Sequence, residues 1–234
     1  MTDSNFVTGI KKSVPVVLGY IPIGMAFGIL ASQQGLSIFE IFMMSSMVYA
    51  GASQFIATAM IASGINAASV IFTVFLVNLR HMLMSASLSP YFRKVPSIIQ
   101  ALISFGLTDE TYALDITHLK EHEPSAYFFM GLHTSCYATW VISTVMGGML
   151  GNLIPDPTRW GMDYALSAMF IALLCIQIKD KRDVLVAICS AAFSLLITTM
   201  SGGSWNVIIS TILAATIGVS ADLWNKRLSL SSSE

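Results

Sequence analysis

Charge is what this sequence has least of. Only 11% of its 234 residues are Asp, Glu, Lys or Arg, against about 25% in soluble domains. With 55% apolar residues and a mean hydropathy of +0.72, a soluble chain of this length has no core large enough to hide its apolar side chains. A soluble globular domain is therefore excluded. The net charge of −1 comes with no basic tract, so nothing points to nucleic acid. Cysteine is scarce as well: Cys136, Cys175 and Cys189 are an odd set without a C-x-x-C pair, and their apolar surroundings read as buried thiols acting as small hydrophobes. Alternation of polar and apolar residues over ten-residue stretches is missing, which excludes a transmembrane β-barrel. No P-loop for ATP is present.

What the sequence does have is apolar length. Eight runs stand out, at about residues 14–31, 40–63, 66–90, 96–108, 127–151, 162–178, 184–201 and 205–224. A helix needs about 20 residues to cross roughly 30 Å of hydrocarbon. The pattern predicts an all-α polytopic membrane protein with six to eight transmembrane segments. A single transport domain over 14–225 is expected between a cytoplasmic N-terminal segment, 1–13, and a cytoplasmic tail, 226–234. Lys11 and Lys12 before the first run resemble the start of a signal peptide, but Pro22 sits mid-run and more spans follow. An uncleaved first helix is expected.

Basic clusters at Lys11/Lys12, Arg93/Lys94, Lys179/Lys181/Arg182 and Lys226/Arg227 should all face the cytoplasm. Eight full crossings would put Arg93/Lys94 outside while both termini lay inside. The conflict disappears if the second run, interrupted by Tyr49-Ala50-Gly51-Ala52-Ser53-Gln54, and the short fourth run are broken or re-entrant, leaving six full spans. Interrupted helices also point to transport sites near the midplane. By the same criterion Gly19-Tyr20-Ile21-Pro22-Ile23-Gly24 qualifies as a break in the first run, with a simple proline kink as the competing reading.

Polar residues inside apolar runs are the next signal. Arg80, in Asn78-Leu79-Arg80-His81, lies about 20 Å deeper along a helix than Arg93, where a guanidinium needs a partner or water. Asn78 and His81 share a face. A substrate carboxylate or proton-relay site competes here with a structural salt bridge to Asp109 or Glu110. Gly51, Ser53 and Gln54 read as a chain break followed by a new half-helix whose N-terminus suits a carboxylate, against a small-residue helix contact with Gln54 as interhelical glue. Thr108-Asp109-Glu110-Thr111 closes the fourth run. Its two carboxylates suit an ammonium group or a coupling proton, against a solvated helix end.

Other features carry less. His118-Leu119-Lys120-Glu121-His122 matches the H-x-x-E-H pattern of some zinc hydrolases, but it reads as a solvated loop cut short by Glu123-Pro124, with no third ligand on a later polar helix. Met43, Met44, Met82 and Met84 suit a forgiving apolar pocket or simple gap filling. Gly147 and Gly151 form a G-x-x-x-G helix contact, and Ser201-Gly202-Gly203-Ser204 reads as a turn.

Tyr49-Ala50-Gly51-Ala52-Ser53-Gln54-Phe55, Asn78-Leu79-Arg80-His81 and Gly106-Leu107-Thr108-Asp109-Glu110, in this order, with Ile21-Pro22-Ile23-Gly24 and Phe170-Ile171-Ala172-Leu173-Leu174, resemble the AzlC-type branched-chain amino acid permease family over about residues 10–225. One departure is Ser167, where similar proteins often carry proline. The resemblance implies the large subunit of a two-component exporter of leucine, isoleucine, valine and sometimes methionine, sited in a bacterial inner membrane with a small hydrophobic AzlD-type partner. On that reading the substrate meets Pro22, Gly24, Tyr49, Gly51, Ser53, Gln54, Asn78, Arg80, Asp109 and Glu110. His81, Asp109 or Glu110 carries the coupling proton. No enzymatic activity, cofactor or metal is expected. A passive channel and, more remotely, an intramembrane zinc hydrolase are the competing functions.

Overall fold

The computed structural model describes residues 5–93, 95–154 and 181–201, with isolated positions at 156, 159, 161, 164, 167, 168, 171, 174, 175, 178 and 216. The eighth run apart from Thr216, the Ser201–Ser204 turn beyond its first residue, Lys94, Lys179 and Lys226/Arg227 fall outside the described residues, as does most of the sixth run. The chain forms two compact units, Met1–Met169 and Phe170–Glu234. Among the described residues there are helices and no strands, so the protein is all-α, as the composition requires.

In the first unit, α1 (Phe6–Gln33) opens on Asn5, whose side chain accepts from the Thr8 N–H. At 28 residues it is about 42 Å long, more than enough to cross a bilayer. Pro15 and Pro22 both lie inside it without ending it. The break expected at Pro22 is therefore absent: neighbouring helices hold a proline-containing helix together despite its lost hydrogen bond. The neighbour here is α7 (Ala126–Leu150). The two pack almost backbone to backbone and run parallel. Gly9 lies against the Phe128 carbonyl, Gly24 against Ser143, Gly28 against the Thr144 carbonyl, and Ser32 against Gly151. A Cβ on Gly28 or Gly147 would overlap a backbone carbonyl oxygen of the partner helix. Small residues make this approach possible, and the expected contact at Gly147 and Gly151 is one part of it.

Around this pair the chain makes two helical hairpins and one long return. The first hairpin is α2 (Ile38–Met47) and α3 (Gly51–Ala62). Ile41 near the start of α2 and Phe55 in α3 both pack with Phe27 of α1, while the turn between them reaches Tyr137 and Trp140 in mid-α7. The chain thus enters and returns on the same side, as expected for the interrupted second run. Next, α4 (Ala67–Leu88) and a 3-10 turn, Ser89–Phe92, run the other way and end with Phe92 against Phe129, near the start of α7. The second hairpin, α5 (Ser97–Phe105) and α6 (Asp109–Glu121), enters from that end. Its turn reaches Tyr20 and His133, and its last turn returns to Phe128. Lys12 and Arg93 consequently sit at one end of the unit.

Two expectations need correcting here. Thr108–Thr111 does not close the fourth run but starts a new helix: Thr108 Oγ1 accepts from the Thr111 N–H, and the Thr108 N–H donates to Thr111 Oγ1. His118–Glu121 is the last turn of that helix, not a loop, because α6 has little apolar content and no apolar run announces it. The thiols differ as well. Cys136 is buried, Cys175 exposed and Cys189 half-buried, since an apolar run in a membrane protein faces lipid as readily as a core. Met82 is exposed, Met43 and Met84 are half-buried, and Met44 Sδ accepts from Thr58.

In the second unit α8 (Lys181–Ser201) covers the seventh run, with Leu185, Ile188, Leu195 and Leu196 exposed.

Candidate functional site

The tips of the two hairpins meet between α1, α4 and α7. At the first tip Tyr49 has φ +39°, a left-handed conformation that a bulky residue adopts only under strain. Its ring packs edge-on against Tyr137 at 5.0 Å and stacks with Phe105 of the opposite hairpin at 6.3 Å. Its hydroxyl is buried, makes no hydrogen bond of good geometry, and has the Tyr20 hydroxyl as its polar neighbour. Gly51 opens α3 directly under the Trp140 ring, where a Cβ would lie 2.8 Å from the indole. No side chain of residue 50 caps α3, so its first N–H groups and the positive end of its dipole face the tip.

Gln54 is fully buried and spends both ends of its amide on structure. Its Oε1 accepts from Trp140 Nε1 at 2.8 Å and its Nε2 donates to Ser45 at 2.9 Å. It thereby ties α2 and α3 to α7. Ser53 donates to Asn78 Oδ1 at 2.6 Å, tying α3 to α4.

At the second tip, Tyr20 of α1 joins Thr108 Oγ1 at 2.7 Å and donates to Glu110 Oε2 at 3.0 Å. Glu110 acts electrostatically on Tyr20, Tyr49 and Cys136, which places it at the meeting point of the tips. Asp109 pairs with Arg80 at 2.6 Å, with side chains 18% and 29% exposed. The pair is reachable rather than sealed, and Arg80 Nε is left without a partner. His81 is half-buried, with Arg80 and Asp109 as its charged neighbours. Because α3 and α6 both start here, two helix N-termini converge on one small volume. Acidic Asp109 and Glu110 in the first turn offset the dipole of α6.

The structure thus gathers Tyr49, Gly51, Ser53, Gln54, Asn78, Arg80, Asp109 and Glu110. Gly24 lies on the same face of α1 against Ser143, whereas Pro22 is exposed and stands apart from the tips. Tyr20, Ser45 and Trp140 were missed by the sequence reading, as was a buried pair, Asp115 and His133, with 3.0 Å between Oδ2 and Nε2. An ionisable residue in the fifth apolar run was the available signal for His133. His118 stacks between His122, at 4.6 Å, and Phe128, at 3.6 Å. The two imidazoles of the H-x-x-E-H match lie flat on each other instead of converging on a common point.

A family model described as AzlC protein matches residues 15–154. The inner membrane protein YgaZ of Escherichia coli is 33% identical over 190 residues, covering 79% of this chain and 78% of its own length. An uncharacterized membrane protein of Archaeoglobus fulgidus is 32% identical, over 81% and 83% of the two chains. The branched-chain amino acid transport protein AzlC of Bacillus subtilis is 25% identical, over 92% and 83%. No solved structure matches the chain.

Proposed function

This chain belongs to the AzlC protein family, and on that premise we propose that it is the large subunit of a two-component exporter of branched-chain amino acids in a bacterial inner membrane. The observation that carries this reading is the pair of opposed hairpins. Secondary transporters bind substrate where half-helix ends meet near the midplane, and here the starts of α3 and α6 meet beside an accessible ion pair.

The site is complementary to a zwitterion. Arg80 and the uncapped start of α3 take the substrate carboxylate, and Asp109 with Glu110 takes the ammonium. Without substrate, Arg80 and Asp109 satisfy each other, so a bound amino acid replaces one internal ion pair with two intermolecular ones. Little net charge is desolvated in the exchange. Tyr49, Phe105 and Tyr137 supply an apolar wall for an aliphatic side chain. The Tyr49 hydroxyl, without a hydrogen bond of good geometry, is a further donor to the carboxylate.

We read the end that carries Lys12 and Arg93 as the cytoplasmic one, which the excess of positive charge there supports. Parallel α1 and α7 then require a net single return between them, which α4 makes while both hairpins turn back. The exposed apolar residues of α4, Ile71, Phe75 and Leu83 among them, face lipid or the small AzlD-type partner. The work is transport, not catalysis, with an ion gradient as the source of energy.

Cells loaded with leucine, isoleucine and valine through dipeptides test this reading, with the chain alone, the partner alone, or both. Saturable efflux that needs both and supports counterflow is the expected result. Unsaturable flux without counterflow makes the protein a channel. No efflux with both proteins in the membrane removes branched-chain amino acids as substrates.

A further inference from the structure

Asp115 and His133 form a buried acid–base pair that the substrate site does not use. Asp115 is fully buried on α6 and His133 is 5% exposed on α7, with Nε2 at 3.0 and 3.3 Å from the two carboxylate oxygens. The other ring nitrogen, Nδ1, is buried and unpartnered. Beside it is Gly106 at the tip of the second hairpin, where a Cβ would lie 2.7 Å from Nδ1. The pair therefore bridges α6 of the hairpin and α7 of the central pair of helices, with the hairpin tip against its free nitrogen.

Its position along the unit is equally specific. From the tip, α6 carries Glu110, then Asp115, then His118, which stacks on Phe128 at the end where Lys12 lies. Asp115 and His133 stand between the substrate site and that end. The charged and titratable groups around them are His118 on α6, Cys136 on α7 and, acting on His118, Lys12 of α1. Glu110 acts on Cys136 from the tip side.

We propose that Asp115 and His133 are the proton-carrying pair that couples transport to a proton gradient, loading and releasing one proton as the α6–α7 seam opens to opposite sides. This rests on the transport reading above. In the loaded state of the proposed cycle the pair is carboxylate with imidazolium. Release to water leaves a carboxylate beside a neutral imidazole, and reloading from the other side restores the first state, so one proton crosses per cycle. In the closed seam a carboxylate beside a neutral imidazole keeps a hydrogen bond but loses its counter-charge while buried, which disfavours that state. Release is thereby confined to the open seam, which ties proton movement to conformational change. The sequence-based expectations for this role, His81, Asp109 and Glu110, lie instead at the substrate site, beside Arg80 and Tyr20.

The test uses the chain and its small partner together in liposomes. Leucine movement driven by a pH gradient is compared with leucine counterflow at equal pH in Asp115→Asn, Asp115→Glu and His133→Gln. Coupling predicts that Asp115→Asn and His133→Gln lose gradient-driven transport about tenfold or more while counterflow stays within about twofold, and that Asp115→Glu recovers part of the coupling. Unchanged gradient-driven transport overturns the proposal, and so does parallel loss of both activities, which makes the pair a structural tie. A second readout needs no substrate: nitrogen NMR of histidine-labelled protein, with the His133 signal identified by its loss in His133→Gln. A His133 resonance that titrates in the wild type and moves in Asp115→Asn supports the pair as a proton carrier. A His133 resonance fixed in one form from about pH 5 to 9 overturns it. Failure of the wild type to move any leucine counts against the transport reading alone, and the titration still decides the pair.

Discussion

The indole N–H of Trp140 donates to Gln54 Oε1 across 2.8 Å, joining the tip of one helical hairpin to the middle of α7. Both groups are buried, and the other end of the same amide is held by Ser45. Trp140→Phe keeps a ring over Gly51 but leaves the glutamine oxygen buried without a donor. A loss of about 1–3 kcal/mol is expected, read as a lower unfolding temperature in detergent. Gln54→Ala should cost at least as much in stability and abolish efflux.

Arg80 and Asp109 make a second prediction. Arg80→Gln or Asp109→Asn alone strands a charge at membrane depth, costing roughly 2.5–3.5 kcal/mol or more, and should reduce the amount of protein in the membrane. The double variant removes both charges and should restore protein level. Transport should stay absent, because a zwitterion then finds neither partner. Western blotting of membranes alongside an efflux assay separates the two effects.

Tyr49→Phe removes a buried hydroxyl that makes no hydrogen bond of good geometry. Stability is expected to hold or to rise by about 1 kcal/mol, since a poorly partnered polar group is costly to bury. Substrate affinity should fall if that hydroxyl is kept for the carboxylate. A rise in KM for efflux beside an unchanged or higher unfolding temperature is the signature.

Gly28→Val tests the α1–α7 seam. Its side chain would meet the Thr144 carbonyl and the start of Gly148, backbone that has nowhere to move. Overpacking of this kind costs typically 1–3 kcal/mol and often more. Little folded protein should be recovered, whereas Gly19→Val, with nothing within 4 Å of its Cβ position, should accumulate normally.

Much of this arrangement is legible from residue chemistry. The interruption at Tyr49–Gln54 marks the first tip because Gly51 and its small neighbours let a backbone come under Trp140. The short fourth run marks the second. Positive charge at Lys11/Lys12 and Arg93 already demands one net return between them. Other parts are hidden for physical reasons. The residues of α6 carry only a short stripe, Tyr112, Ile116 and Leu119, among polar and charged neighbours, so hydropathy does not announce a helix, and its cap is a Thr-x-x-Thr pair without the usual glutamate. Pro22 signals a break that packing against α7 suppresses. Asp115 and His133 are 18 residues apart on different helices, and no local pattern records that they meet.

The close parallel seam of α1 and α7 also fixes an order of events during synthesis. As it leaves the ribosome, α1 has no partner for its glycine face until both hairpins and α4 have been made and inserted. Over that interval it must rest against lipid or the insertion machinery. Seam variants are therefore expected to be removed by quality control during biogenesis, before any defect in the finished protein can be measured.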